Sequence, residues 1–250
     1  NYLTPDALKY IKSKNLNNIK EIFKKKIRSN KKILLIGDPI LDIYTKVEPT
    51  GKSNKSSIIS SRFIKNDSYL GGSLLVANIL SNFTNNVYFV YPSNKDNDQI
   101  IKKNLNNKIK LIKIKSEAKI IEKIKFYDRY NFLKLFQLTH NETDVYSKNN
   151  KKSLINFINK NEKNFQKILI FDYGYYSVFD DLVKLTNKKN KKYVINCQTN
   201  AYNFGFNIPT KFKRGSVLCV DEMEFRLCVG DNKTNLKELL NKNKNRFKDF

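Results

Sequence analysis

The stretch KKILLIGDPILD, at 31–42, constrains the fold of this chain more than any other. Its four consecutive apolar residues, 33–36, run directly into a Gly-Asp-Pro turn. An unbroken apolar run of this length predicts a strand covered on both faces, as in the centre of a parallel α/β sheet. Such sheets bind ligands beyond the carboxyl ends of their strands. Asp38 and Asp42 are therefore candidates for accepting hydrogen bonds from a ligand, and Asp before Pro is also typical of a plain turn.

Alternating strand and helix patterns continue along the chain. Apolar runs predict further strands at 87–92, 108–114, 167–174, 192–197 and 216–221. Apolar residues at helical spacing predict helices at 3–29, 71–82, 96–107, 153–165 and 178–189, another from Glu222, and a helical tail at 233–250. This alternation predicts an α/β fold with a doubly wound, mainly parallel sheet. In that sheet we expect neighbouring strands at 33–36, 168–171, 193–195 and 217–220.

Two segments depart from this alternation. Residues 43–70 set scattered apolar side chains among Gly, Ser, Thr and Asn, which predicts short strands and turns in a flap beside the main sheet. Residues 118–130 and 131–138 are predicted to be two strands around a turn. We expect the flap to cover a cleft that is lined by Asp42 and Gly72.

The composition favours a folded domain in a reducing compartment. With 250 residues and 40% hydrophobic content, the chain can form one α/β domain, with or without a small appendage. No apolar stretch approaches the roughly 20 residues of a membrane span, and no N-terminal segment has the layout of a signal peptide. Three scattered cysteines are too few for a disulfide framework or a zinc site, which predicts a cytoplasmic location without a membrane partner.

A net charge of +25 ordinarily suggests nucleic acid as a partner. The lysines, however, occur along nearly the whole chain and alternate with asparagine, as in KNKNR at 242–246. A codon bias toward Lys, Asn and Ile gives the same pattern, and no nucleic-acid-binding motif accompanies the charge. We therefore interpret the charge as a solvated basic surface and expect no nucleic-acid partner.

Two short motifs allow both a functional and a purely structural interpretation. Gly71 and Gly72, before a helix, either leave backbone amides open to a ligand or make a tight turn. The carboxylates of 221–224 either hold Mg²⁺ beside nucleotide phosphates or favour the positive end of a helix. The GKS triplet at 51–53 is not a P-loop, because Lys46 stands where that motif requires its first glycine.

Several segments occur in the order that is typical of one kinase family. They are ILLIGDPILDIY (33–44), YLGGSLLVANIL (69–80), EKIKFYDRYNFLKLFQL (122–138), IFDYGYYS (170–177), VINCQTNAYNFGFN (194–207) and VLCVDEMEFRL (217–227). Across 31–230 the chain resembles the ribokinase-like (PfkB) carbohydrate kinases. It is most similar to the kinase domain of bifunctional heptose-phosphate kinase/nucleotidyltransferase proteins of the ADP-heptose synthase type.

The resemblance implies a domain organisation, an activity and partners. Residues 31–250 would form the kinase domain, with about eight or nine mostly parallel strands and a small β lid at 43–70, and 1–30 would be a lead-in helix or linker. The implied activity is the phosphorylation of a sugar or sugar phosphate, such as a heptose phosphate, in nucleotide-sugar biosynthesis, with ATP and Mg²⁺ as cofactors. A homodimer through the lid and a fused nucleotidyltransferase domain are further implied partners.

The resemblance also implies roles for individual residues on the substrate side. Sugar hydroxyls would be bound by Asp38 and Asp42, and close approach of the sugar to the backbone would be allowed by Gly71 and Gly72. A sugar phosphate would be met by Lys125, with Lys123 and Arg129 near it.

On the nucleotide side, the resemblance points to the ends of two late strands. Asn196 would face the nucleotide, and Asp221 and Glu224 fall on the family's N-x-x-E motif, which organises Mg²⁺ and phosphates. Glu224 is the implied metal ligand, and Asp221 replaces the Asn of that motif. Tyr175 stands where the family more usually has Lys or His.

The family's G-A-G-D segment does not occur in these 250 residues. In relatives it supplies an anion hole for the transferred phosphoryl group and the catalytic base, on both of which phosphoryl transfer depends. We therefore expect the base beyond Phe250, do not expect Asp172 to replace it, and expect 1–250 alone to lack appreciable kinase activity. The alternative hypothesis is a catalytically silent sugar- or nucleotide-binding module associated with a nucleotidyltransferase.

Overall fold

A computed structural model describes residues 31–52, 56, 58–188 and 192–250. The helix predicted at 3–29 and the linker assigned to 1–30 lie outside these residues. The strands are β1 Ile33–Gly37, β2 Pro39–Lys52, β3 Ile59–Gly71, β4 Val87–Ser93, β5 Lys110–Lys115, β6 Ile121–Asp128, β7 Lys134–His140, β8 Lys167–Asp172, β9 Tyr193–Cys197 and β10 Val217–Cys219. The α-helices are α1 Gly72–Ser81, α2 Lys95–Asn104, α3 Lys148–Asn161, α4 Asp180–Lys188, α5 Glu222–Val229 and α6 Leu236–Asn243.

Six of the strands form a wholly parallel main sheet in the order β10-β9-β8-β1-β4-β5. The predicted neighbours β1, β8, β9 and β10 do lie side by side, which confirms that prediction. The resemblance implied about eight or nine strands, whereas the sheet has six among the described residues. β1 and β8 are the two central strands of this sheet, and the candidate site lies beyond their carboxyl ends.

Side chains of β1 alternate between two hydrophobic cores, because successive residues of a strand point to opposite faces. Leu34 and Ile36 belong to the core that includes residues of α3 and α4, whereas Leu35 belongs to the core that includes residues of α1 and α2. Each of these three side chains is at most 1% exposed, and burying one contributes roughly 1.5–3 kcal/mol. Covering on both faces explains the unbroken apolar run and confirms the doubly wound α/β fold.

A second sheet, with the order β3-β2-β6-β7, forms a lid beside the main sheet. Strands β2 and β3 are antiparallel, β6 runs parallel to β2, and β7 is antiparallel to β6. The segment 43–70 lies almost wholly within β2 and β3, but these strands have 14 and 13 residues rather than being short. The lid also includes β6, which joins β2 across 81 residues of sequence, as at Tyr44 and Lys125.

The carboxyl-terminal tail predicted at 233–250 is helical in part. Helix α6 covers Leu236–Asn243, and a 3₁₀ turn follows at Lys244–Phe247. All three cysteines of the chain are free thiols. Within the described ranges, no helix has both the length and the apolar character needed to cross a membrane.

Candidate active site

The inner face of the lid carries polar and aromatic side chains in three rows, which we call the inner strip. Residues paired directly across neighbouring strands lie on the same face of a sheet. The rows are Tyr69–Asp42–Lys123, Asp67–Tyr44–Lys125 and Lys65–Lys46–Tyr127. Successive rows are two residues apart along the strands, or about 7 Å.

An ion pair between Asp42 and Lys125 joins the first two rows. Nζ of Lys125 lies 2.7 Å from Oδ1 of Asp42, and both side chains are about one-fifth exposed. Burial lowers the pKa of Lys125, but the hydrogen bond and charge of Asp42 outweigh it and hold that pKa above its usual value. The pair offers a ligand both a carboxylate that accepts and an ammonium group that donates hydrogen bonds.

Lys123 links the lid to the loop that follows β8. Its Nζ lies 5.0 Å from the centroid of the Tyr175 ring, a contact that contributes roughly 0.5–2 kcal/mol. Burial lowers the pKa of Lys123, an effect that the charge of Asp42 partly offsets, and burial raises the pKa of Tyr175 to about 12. The inner strip therefore faces the carboxyl ends of the main-sheet strands, where open α/β sheets bind their ligands.

The chain passes from β3 into α1 at Gly71 and Gly72, where it packs closely against β2. A Cβ atom at Gly71 would collide with Oδ2 of Asp42. Gly72 has a φ of +50°, and a Cβ atom there would collide with the carbonyl oxygen of Asp38. Gly71 thus borders the carboxylate that is predicted to bind sugar, whereas Gly72 is required by the backbone conformation and by close packing.

Asp38 is completely buried and holds the loop that follows β8. Its Oδ2 accepts the N–H groups of Tyr173 at 2.8 Å and Tyr175 at 3.2 Å, and its Oδ1 accepts the N–H of Ser177 at 2.9 Å. A carboxylate without exposed surface has no free side for a sugar hydroxyl. Asp38 is therefore a structural anchor, contrary to the sugar-binding role that the resemblance implied.

Asp172 is a second buried carboxylate at this edge of the sheet, 1% exposed. Its Oδ2 forms an ion pair with Nζ of Lys211, and its Oδ1 accepts a hydrogen bond from Asn207 at 3.1 Å. Burial, and then the negative charge of Asp172, raises the pKa of Asp38 to about 6 against the opposing effect of the three amides. Because it is buried and paired, Asp172 is not placed to accept a proton from a substrate.

An asparagine-rich loop after β9 contacts the loop that follows β8, which Asp38 also holds. Asn200 and Asn203 donate hydrogen bonds to the carbonyl oxygen of Tyr173, at 2.6 and 3.0 Å. These contacts, and the pairing of Asn207 and Lys211 with Asp172, were missed by the sequence analysis. No local pattern reveals them, because the partners are 27 to 39 residues apart in sequence.

The carboxylates Asp221 and Glu224 form a capping box at the start of α5. Asp221 accepts the N–H of Glu224 at 2.7 Å, and Glu224 accepts the N–H of Asp221 at 2.8 Å. Glu224 is 4% exposed, and burial raises its pKa. Asn196 donates a hydrogen bond to the carbonyl oxygen of Cys219 at 3.0 Å, which ties β9 to β10.

The contacts of Glu224 bear on the Mg²⁺ role that the resemblance implied for it. The carboxylate of Glu224 accepts hydrogen bonds from the backbone of both Asp221 and Thr199. Within the part of the chain that the structure describes, no group of three or more His, Cys, Asp or Glu residues is placed to hold a metal ion. Of the two interpretations of 221–224, the geometry favours helix capping.

Arg129 lies away from Lys125, although the resemblance placed the two together. One guanidinium nitrogen of Arg129 is 3.6 Å from Glu48, which also pairs with Arg62, and the guanidinium stands 5.1 Å from the centroid of the Tyr130 ring. Four residues along a strand correspond to about 13 Å. Arg129 therefore belongs to a charged cluster near the tip of the lid.

The fold is similar to those of solved sugar kinases. Phosphofructokinase-2 from Escherichia coli has a TM-score of 0.61 and 10% identity, over 87% of this chain and 71% of that one. Ribokinase from Arabidopsis thaliana has a TM-score of 0.55 and 12% identity, over 88% and 70%. A carbohydrate kinase from Agrobacterium tumefaciens has a TM-score of 0.50 and 14% identity, over 85% and 67%.

Similarity at these identities shows the fold, which is ribokinase-like. No model of a known protein family matches the sequence, and no curated protein matches it significantly. The aligned part of this chain spans about 70% of the E. coli and A. thaliana structures.

Proposed function

We propose that this chain is an ATP-dependent sugar kinase domain, whose sugar binds between the inner strip and the carboxyl ends of β1 and β8. The observation that carries the proposal is the Asp42–Lys125 ion pair, which borders Gly71 on the face turned toward those strand ends. The fold supports it, since similar structures are named as sugar kinases and one was solved with ribose and ATP.

The ion pair suits a sugar that carries a phosphate. Asp42 would accept hydrogen bonds from sugar hydroxyls, and Lys125 would bind the phosphate. Lys123 adds a second cation on the same face of the lid. Each charge-assisted hydrogen bond contributes roughly 1.5–3 kcal/mol. A heptose phosphate has both kinds of group, and its phosphorylated product would serve nucleotide-sugar biosynthesis in the cytoplasm.

ATP would bind at the carboxyl ends of β9 and β10, near Asn196 and the start of α5. Mg²⁺ would arrive with the nucleotide, because protein Mg²⁺ sites typically keep several waters and rely on substrate phosphates. The contact between Lys123 and Tyr175 would hold the lid near the loop that follows β8. It would thereby limit the entry of water into the site during phosphoryl transfer.

The outer face of the lid favours a homodimer. Phe126 and Phe136 stack there with ring centroids 4.3 Å apart, yet Phe136 remains 52% exposed and Leu138 46% exposed. Contiguous apolar surface of this kind marks interaction sites. A second copy of the chain, bound lid to lid, would cover it.

A second candidate function is a catalytically silent sugar-binding module that works with a nucleotidyltransferase, fused or separate. The specific observation in its favour is the engagement of Glu224 with backbone amides, which leaves the predicted metal ligand occupied. Both candidate functions use the sugar site at Asp42, but only the kinase would convert ATP to ADP.

The test is ADP formation by the full-length protein with ATP, Mg²⁺ and a panel of sugars and sugar phosphates that includes a heptose phosphate. We expect sugar-dependent turnover that is lost in Asp42→Asn and kept in Asp181→Asn, a control at an exposed carboxylate on α4. Sugar binding without turnover would establish the silent module instead. Neither binding nor turnover across the panel would contradict both candidates.

A further inference from the structure

The inner strip continues past Asp42 into a cavity that borders the proposed sugar site at Tyr44, whose ring centroid lies 4.8 Å from Nζ of Lys125. The cavity has a volume of about 460 Å³ and is lined by Tyr44, Lys46, Asp67, Tyr69, Tyr127 and Phe132. It begins in the row of Asp42, because Tyr69 pairs directly across from that residue. It extends to the third row, about 14 Å farther along the lid.

Aromatic rings form the walls of this cavity. Tyr44 and Tyr127 stack with centroids 5.5 Å apart and planes 14° apart, and Tyr69 meets Tyr44 edge-on at 5.4 Å. Tyr69 is 57% exposed and Phe132 is 64% exposed, so ring surface is open to a ligand. Such surfaces attract the weakly positive C–H groups of a ligand.

Polar groups are interspersed among these rings. Lys46 holds its Nζ 5.0 Å from the centroid of the Phe132 ring, and Asp67 pairs with Lys65 at 2.7 Å. Three tyrosine hydroxyls, one carboxylate and one ammonium group thus border the cavity. A sugar ring has C–H groups on its faces and hydroxyls around its rim, and this lining matches both.

We propose that this cavity is a second carbohydrate subsite, and that the substrate is a sugar linked to a further sugar ring, as in a disaccharide. The inference rests on the proposed function, because the first ring is the one held at Asp42. The two subsites are adjacent on one continuous strip, so one glycosidic bond spans them. The second ring adds binding free energy without touching the reacting hydroxyl.

The experiment is calorimetric titration of the full-length protein with matched pairs of sugars: glucose and maltose, galactose and lactose, mannose and mannobiose. For at least one pair, we expect the disaccharide to bind about tenfold more tightly than the monosaccharide. Tyr127→Ala should abolish this difference and leave the monosaccharide affinity unchanged. Tyr130→Ala is the matched control, since Tyr130 is an exposed lid tyrosine outside the cavity lining.

The outcomes separate this inference from the proposed function. Equal affinities within every pair, or an equal loss for both sugars in Tyr127→Ala, would overturn the second subsite and leave the sugar site at Asp42 standing. No binding of any of these unphosphorylated sugars would overturn the second subsite, and the sugar-phosphate panel would still test the proposed function. Binding of uridine monophosphate that requires Tyr127 would overturn the carbohydrate assignment in favour of a nucleobase. If Tyr127→Ala does not fold, Tyr69→Ala gives the same test at an exposed ring.

Discussion

Gly71 is the single residue on which the geometry of Asp42 depends most directly. A methyl group at this position would collide with Oδ2 of Asp42, so the carboxylate must turn away from Lys125. We expect Gly71→Ala to weaken sugar binding about tenfold or more, because a charge-assisted hydrogen bond contributes roughly 1.5–3 kcal/mol. Titration calorimetry with a sugar that the unmodified protein binds measures the loss.

A double variant supplies the control for Gly71→Ala. If the alanine acts through Asp42, the combination of Gly71→Ala and Asp42→Ala should bind the sugar no more weakly than Asp42→Ala alone. If the double variant loses as much sugar affinity as the two single variants together, the alanine at position 71 acts independently of Asp42. That result would contradict the assigned contact.

Asp38 makes the stability of the fold depend on pH. Its pKa is raised from 3.8 to about 6, so between these values the native state holds a proton that the unfolded state has released. The contribution of this group to the free energy of unfolding is therefore greatest below about pH 4 and falls as the pH rises through about 6. Urea unfolding from pH 4 to 7, compared between the unmodified protein and Asp38→Asn, isolates this contribution.

Direct observation of the carboxyl group keeps the pH prediction testable if Asp38→Asn does not fold. The ¹³C chemical shift of the Asp38 carboxyl group should titrate near pH 6 in the native protein. Titration near the ordinary value of 3.8 would contradict the account of this buried pair.

Asp38 and Asp42 also show what the sequence cannot distinguish at this scale. Both follow β1 and both fit either a turn or a ligand contact. Their difference arises from the loop after β8, which brings amides to Asp38 from 135 residues away. Local patterns predicted two candidate carboxylates, and only the closed fold shows which one is buried.

At the scale of elements, the capping box of α5 gives a test that separates capping from metal binding. Glu224→Gln should keep the stability close to that of the unmodified protein, because glutamine serves equally in this motif. Glu224→Ala should lower the free energy of unfolding by about 1 kcal/mol, measured in urea. Neither change should weaken binding of the ATP–Mg²⁺ complex, measured by calorimetry.

One outcome of the Glu224 experiment would instead support the metal-ligand role that the resemblance implied. Loss of Mg²⁺-dependent ATP binding in Glu224→Gln, with stability unchanged, would contradict capping as its only role. The sequence did contain the relevant signal, since an acidic N-cap followed three residues later by Glu is typical of a capping box. Glu224 also falls on the glutamate of the kinase family's N-x-x-E motif, so the residues alone allow both interpretations.

The lid was predicted less well than the main sheet. Strands of the main sheet are covered on both faces and read as continuous apolar runs, which local sequence reveals. The lid strands are half exposed, and the pairing of β2 with β6 joins distant segments. The tyrosines of the inner strip were missed for the same reason, because only the register places Tyr44, Tyr69 and Tyr127 together.

At the scale of the whole molecule, the outer face of the lid predicts self-association. We expect the protein to sediment as a dimer and Phe136→Glu to sediment as a monomer, because a charge in an apolar interface is costly. Leu240→Glu, at an exposed apolar residue of α6, is the matched control and should remain dimeric. A monomeric unmodified protein at micromolar concentration would contradict the lid-to-lid dimer.

The central claim is that the Asp42–Lys125 pair binds a sugar, and calorimetric titration of a sugar-phosphate panel into two isosteric variants tests it most directly. Asp42→Asn removes only the charge of the carboxylate, and Asp181→Asn removes an equivalent charge from the surface of α4. The account predicts that at least one sugar phosphate binds the unmodified protein and Asp181→Asn equally, and binds Asp42→Asn at least about tenfold more weakly. Equal affinity for all three proteins would contradict it.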